Sequence, residues 1–199
     1  MTSVRVVAVG GFGEEVAARV AATLDATVVR SWEDDGCADA AVWLLAAWRP
    51  APELASRLDA FAFAHRTPWI PVVAEHPYLV VGPTVVPGVG PCYGCFRRRL
   101  SQHGVDDELT ELLHAHYDAD PAAGPHGHLP AVATVAAAMA CEAIERVARE
   151  PEAEAGRVRR LDLQTLHLLA GSVVGVHGCP RCGGVPRPAG ALREELSRD

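Results

Sequence analysis

Two Cys-x-x-Cys pairs lie far apart in this 199-residue chain: Cys92 and Cys95 in PCYGCF, and Cys179 and Cys182 in GCPRCGG. A tetrahedral Zn²⁺ site needs four soft ligands, and two such knuckles supply them. Cys92, Cys95, Cys179 and Cys182 are therefore predicted to hold one structural zinc. Four thiolates leave no open coordination position for catalysis. A thioredoxin-like redox couple opens a helix directly after a strand. Here one pair follows a Pro/Gly turn and the other runs into Gly-Gly-Val-Pro. Disulfides would require export, and MTSVRVV lacks the charged start and apolar core of a signal segment. A cytoplasmic location is expected, with the thiols serving as metal ligands.

Such a clasp ties the middle of the chain to its end, so the elements between must bring the pairs together. The length fits one domain, expected over residues 1–185 with a tail at 186–199. The chain is 49% hydrophobic, yet no uncharged apolar run reaches the roughly 18 residues of a membrane span. A net charge of −7 argues against nucleic-acid binding. All 18 basic residues are arginine, and asparagine is also absent. A P-loop lysine and a Schiff-base lysine are thereby excluded.

Val4–Val9 reads as a buried strand, and Gly10-Gly11-Phe12-Gly13 as a turn into a helix from Glu14 to about Leu24. Residues 26–30 and 40–46 read as two further strands. Pro52–His65 reads as an amphipathic helix with Leu54, Leu58, Phe61 and Phe63 on its apolar face. Trp69–Ala74 is a strand, and Tyr78–Val81 with Thr84–Val86 is a hairpin about Gly82-Pro83. A short helix is expected over Asp107–His116, then a polar loop to Leu129. Pro130 opens a long helix to Arg149, its face carrying Val132, Val135, Met139, Ala143 and Val147. Two last strands are expected over Arg159–Asp162 and Thr165–Leu169. The alternation predicts an α/β sheet with an antiparallel section near the zinc.

VVAVGGFGEEVAARVA, AVWLLA, GPCYGC, LPAVATVAAAMACEAIERV, RRLDLQTLHLL and GCPRCGG together resemble the ThiF-like fold of ubiquitin-activating-type adenylating enzymes. The resemblance spans nearly the whole chain, and its two Cys-x-x-Cys knuckles are its most specific part. VGPTVVPG leading into Pro-Cys-x-x-Cys is most similar to the ThiF-like partner proteins of YcaO cyclodehydratases, which form azole and azoline rings in ribosomal peptides. The resemblance implies a truncated Rossmann-type sheet, a structural Zn²⁺, and partnership with a YcaO-type enzyme and a precursor peptide. Many relatives also carry a leader-binding winged-helix module ahead of this fold, whereas here the first strand starts at Val4. Leader binding would then fall to another chain or to an exposed strand edge. A homodimer through the Pro130 helix is a further possibility.

The alternative is an adenylating enzyme acting on a peptide or carrier-protein carboxylate. Against it, the family's first turn glycine is replaced by Ala8, and Glu14-Glu15 would set negative charge where phosphates need a helix N-terminus. The phosphate-binding Asn-x-x-Arg-Gln segment has no counterpart, leaving only Glu33, Asp34 or Asp35 as ribose contacts. No cysteine precedes the long helix where the family places its catalytic one. Cys141 falls inside that helix as a packed thiol, and Cys37 has no base beside it. His114, His116, His126 and His128 form a histidine-rich stretch read as polar surface, with a second metal site as its functional alternative. His76 is read as structural, and Arg97-Arg98-Arg99 as a solvated face or a docking patch for an acidic partner.

Overall fold

A computed structural model describes residues 3–29, 32, 40–104, 108–120, 122–124 and 127–183. Seven strands form one sheet in the order β2-β1-β3-β4-β5-β6-β7. These are β1 (Val4–Val9), β2 (Ala26–Val29), β3 (Val42–Ala47), β4 (Trp69–Glu75), β5 (Tyr78–Val81), β6 (Arg157–Asp162) and β7 (Leu168–Ser172). β2, β1, β3 and β4 run parallel, and β5, β6 and β7 extend the sheet antiparallel. The expected α/β architecture with an antiparallel section is what forms.

Six helices accompany the strands among the described residues: α1 (Gly10–Thr23), α2 (Pro52–His65), α3 (Tyr93–Gln102), α4 (Glu108–Ala119), α5 (Pro130–Arg149) and α6 (Pro151–Glu154). None is long and apolar enough to cross a membrane. Period-two alternation divides the strand side chains between two layers. Val6, Leu44, Ile70 and Leu79 face α1 and α5, while Val7, Trp43, Leu45 and Trp69 face α2. β3 is buried along its whole length because it has strands on both sides and helices on both faces.

α5 matches its expected span, and of its expected face Val132, Met139, Ala143 and Val147 pack on the core while Val135 does not. The buried positions are Ala133, Ala136, Ala137, Ala140, Cys141, Ala143, Ile144 and Val147, whereas Val135 is 40% exposed. α5 packs closely along α1, and small side chains permit that approach. Its small-residue face packs into the core. Ala140→Leu should therefore cost about 1–3 kcal/mol through overpacking, and Val135→Ser should stay within about 0.5 kcal/mol. Urea unfolding of the two variants measures the difference.

Four further expectations change. α1 begins at Gly10, so the glycines form its first turn rather than preceding it, and Glu14 and Glu15 lie beyond that turn. β5 forms its hairpin with β4, not with residues 84–86. Gly82, at φ +105 against the Arg157 carbonyl, redirects the chain, and Val85 makes one bridge to Trp69. α3 and α6 were not expected. β7 starts three residues late because the Asp162 carboxylate accepts the Gln164 and Thr165 amides and holds a turn there. These amides lower the Asp162 pKa. The predicted tail at 186–199 lies outside the described residues.

Candidate functional site

The four predicted ligands converge. Cys92, extended at the N-cap of α3, and Cys95, in its first turn, form one arm. The second arm is the segment after β7 that carries Cys179, Cys182 and Gly183. Sulfur–sulfur distances are 3.8 Å for Cys92–Cys95, 3.7 Å for Cys92–Cys179 and 3.3 Å for Cys95–Cys182. All four sulfurs lie within 4.8 Å of one another and all four residues are buried. They form a cluster able to hold a metal ion.

Backbone geometry builds each arm. The Val176 N–H donates to Cys95 Sγ at 3.3 Å, and the Gly183 N–H closes onto the Cys179 carbonyl at 2.7 Å. A Cβ on Gly183 would collide with the Cys179 backbone, so the second knuckle requires glycine there. Burial pushes the Cys92 thiol far above its usual range and Cys182 up to about 11. Burial also acts against ionisation at Cys179, but the backbone amides of Cys182 and Arg181 outweigh it and bring that thiol down to about 6. The first pair does open α3, but a loop separates that helix from β5, so neither pair opens a helix directly after a strand. The redox alternative is also disfavoured by each pair facing the other across the fold.

A residue that sequence reasoning missed joins the arms. Asp59 of α2 is 1% exposed and accepts from Trp69 Nε1 at 3.0 Å and from the Tyr93 N–H at 3.3 Å. Its other oxygen accepts from Arg181, between the two cysteines of the second arm. Asp59 thus links α2, β4, the start of α3 and the second knuckle. An acidic residue at an inward position of an amphipathic helix was the available signal.

The second feature lies at the carboxyl ends of β1 and β3, where the strand order reverses. Open α/β sheets bind ligands at such a switch point. Gly10 has φ +69, and a Cβ there would collide with the Trp48 indole, which follows β3. His128 lies over Gly11 and meets Phe12 edge-on at a centroid distance of 5.6 Å. Its Nε2 is 2.6 Å from Glu15, which also pairs with Arg19. The Arg19 and His128 hydrogen bonds draw the Glu15 carboxyl below its usual range. Arg49, 4% exposed, stacks on Tyr117 and donates to the Tyr117 and Asp120 carbonyls, fixing the loop that brings His128 across. Glu14 and Glu15 therefore do not occupy the positive helix end, correcting that expectation. Gly10 and Gly11 stay exposed, with Trp48 and His128 beside them.

The histidines separate. His114 is buried and meets Arg97 at 3.2 Å, His116 is exposed, and His128 belongs to the glycine turn. Among the described residues only the four cysteines converge as potential metal ligands. His76 is exposed at the β4–β5 turn. Cys141 is a buried thiol whose pKa burial raises. Arg99 is committed to the Val174 and Gly175 carbonyls of the second arm, leaving Arg98 as the exposed member of the arginine run. Glu33, Asp34, Asp35, Cys37 and His126 lie outside the described residues.

No protein-family model matches the chain, and no curated protein does. Solved structures do match. The heterocyclase TruD aligns with a TM-score of 0.67 at 20% identity, over 92% of this chain and 27% of its own. The E. coli microcin synthetase McbBCD complex aligns at 0.69 and 12% identity, over 90% of this chain and 67% of the matched one. E. coli MccB with ATP aligns at 0.63 and 15% identity, over 92% of this chain and 67% of its own. The fold is ThiF-like. This ThiF-like chain spans about a quarter of the length of TruD. Its sheet and its cysteine cluster belong to one frame: the parallel half carries the glycine turn, and the antiparallel half leads into the clasp.

Proposed function

We propose that this ThiF-like chain is a non-catalytic, zinc-clasped partner in ribosomal-peptide modification. It would help a YcaO-type cyclodehydratase, or a related enzyme, engage its precursor peptide. The observation that most favours this reading is the crowded switch point, where Trp48 packs beside the exposed Gly10, and His128 stands beside Gly11 with its Nε2 on Glu15. The likeness to a heterocyclase and to a microcin synthetase complex supports the setting. A cytoplasmic location is part of the proposal, because a reducing compartment keeps thiols free to bind metal.

Zinc suits the clasp. Zn–S bonds of about 2.3 Å in a tetrahedron separate sulfurs by roughly 3.8 Å, and three of the sulfur pairs lie at 3.3, 3.7 and 3.8 Å. Cys92, Cys95, Cys179 and Cys182 would all be ligands, so the ion would cross-link α3 to the segment after β7. Its contribution would be rigidity, not chemistry.

An ATP-dependent adenylating enzyme is the second reading. It is favoured by the retained Gly10, Gly11 and Gly13 and by the likeness to MccB solved with ATP. Calorimetry with Mg-ATP separates the two, and the expected Kd is weaker than about 1 mM. Micromolar binding, or ATP–pyrophosphate exchange with any peptide, would favour the enzyme. Co-expression with the YcaO protein and precursor from the same gene neighbourhood should yield a complex that survives gel filtration. Failure to recover either one removes the partner reading.

A further inference from the structure

β7 is the last strand of the sheet, and every one of its residues is exposed. Leu168 and Leu169 are 52% and 55% exposed although they point to opposite faces. Edge strands normally discourage pairing with charge, proline or a covering segment. Leu-Leu-Ala-Gly-Ser carries neither charge nor proline, and among the described residues no further strand pairs with it.

The ladder fixes which backbone groups are free. The Val173 N–H donates to the Gly156 carbonyl, and the Asp162 N–H to the His167 carbonyl. Antiparallel alternation then turns Leu169 and Gly171 toward β6. Leu168, Ala170 and Ser172 direct their N–H and C=O groups outward. The edge is therefore a three-residue template for an added strand.

Its two ends differ in chemistry. At one end Leu168 lies beside Leu161, with Leu169 on the opposite face. At the other, Ser172 accepts from Arg157 at 3.3 Å. Arg157 lines a groove of about 330 Å³ with Arg146, Arg149, Glu150 and Glu154. Glu154 is already paired with buried Arg159. Among the described residues Arg146 and Arg149 form ion pairs only with exposed carboxylates one turn away on α5, and such exposed pairs hold their charges weakly. Among the described residues Arg157 pairs with no carboxylate.

We infer that the free edge of β7 docks an extended peptide segment, apolar beside Leu168 and Leu169 and acidic beside Arg157. The inference rests on the peptide-partner reading above and assigns the surface that reading leaves open. Main-chain bonds to Leu168, Ala170 and Ser172 supply affinity. Side chains at the two ends set direction and sequence preference.

The test uses the full chain and a blocked octapeptide, Val-Thr-Val-Thr-Glu-Thr-Glu-Glu, together with its reversed sequence. One of the two should slow amide exchange at Leu168, Ala170 and Ser172 and leave Leu169 and Gly171 unchanged. Replacing the glutamates by lysine, or Arg157 by Glu, should weaken binding about tenfold. Ala170→Pro removes the central outward N–H while sparing the β6 ladder, as proline permits at an edge, and should abolish binding with α5 exchange unchanged. Three results overturn the inference: no edge protection at millimolar peptide, binding that survives Ala170→Pro, or edge protection that rises with protein concentration alone. The last would assign the edge to a second copy. If the octapeptide fails while co-purification succeeds, only the surface assignment is lost. The opposite pair of results discards the partner reading and keeps the edge.

Discussion

Replacing Cys182 by Ala should remove the proposed zinc and with it most of the order around α3 and the second arm. Cys182 sits 3.3 Å from Cys95, so the substitution takes away one of four ligands and leaves three buried sulfurs facing one another. Structural zinc sites contribute about 10–16 kcal/mol of apparent binding free energy, which is available for folding. Three thiolates and a water retain only part of it. Metal analysis should fall from one zinc per chain to near zero after dialysis against a weak chelator. The thermal midpoint should drop by about 10 °C or more, since 1 kcal/mol corresponds to about 2–4 °C at this size. Acidification should mimic the substitution. Ligation holds thiolates, so protons compete as pH falls and metal release should rise. Unchanged zinc content in Cys182→Ala would remove the clasp from the account.

Asp59→Ala should be the next largest effect, at about 3 kcal/mol. The carboxylate is buried and accepts from Trp69 Nε1 and the Tyr93 N–H, and it pairs with Arg181. Truncation leaves the buried Trp69 Nε1 without its acceptor and removes the bond to the half-buried Tyr93 N–H, a loss of about 1–3 kcal/mol for the buried donor alone. Arg181 is 37% exposed and can turn to solvent, so its share is small. Asp59→Asn should recover part of the loss, because an amide oxygen can still accept one of those bonds. Denaturant unfolding measures both variants, and zinc affinity should fall in parallel because Asp59 touches both arms. An Asp59→Ala chain as stable as the wild type would mean that the arms are positioned by the cysteines alone.

Local order was legible where the sequence pattern and the final packing agree. α2 and α5 begin at prolines and follow their expected spans because proline suits a first helical turn and helical periodicity continues after it. β1 and β3 are apolar runs that became buried strands for the same reason. α3 was missed because its opening, Tyr-Gly-Cys-Phe, favours a helix weakly and is held by the clasp. Val135 was placed on the inner face of α5 because valine outranks alanine in hydrophobicity, yet it is 40% exposed while Ala133, Ala136 and Ala137 are buried. Closeness to α1, not hydrophobicity, chose which residues went inside.

The sequence by itself determined the chemistry available: four cysteines in two spaced pairs, a glycine turn between strand and helix, and no lysine anywhere. These are properties of residue type and short spacing, and elements of local hydrogen bonding preserve them. Only the tertiary structure decided how those parts are used. It brought Cys92 and Cys179 together although they stand 87 positions apart, set Trp48 over Gly10, gave Asp59 to both arms of the clasp and left β7 bare. Each of these depends on where the sheet carries distant segments. Contact between residues remote in sequence follows from strand order and layer packing, which no local pattern encodes.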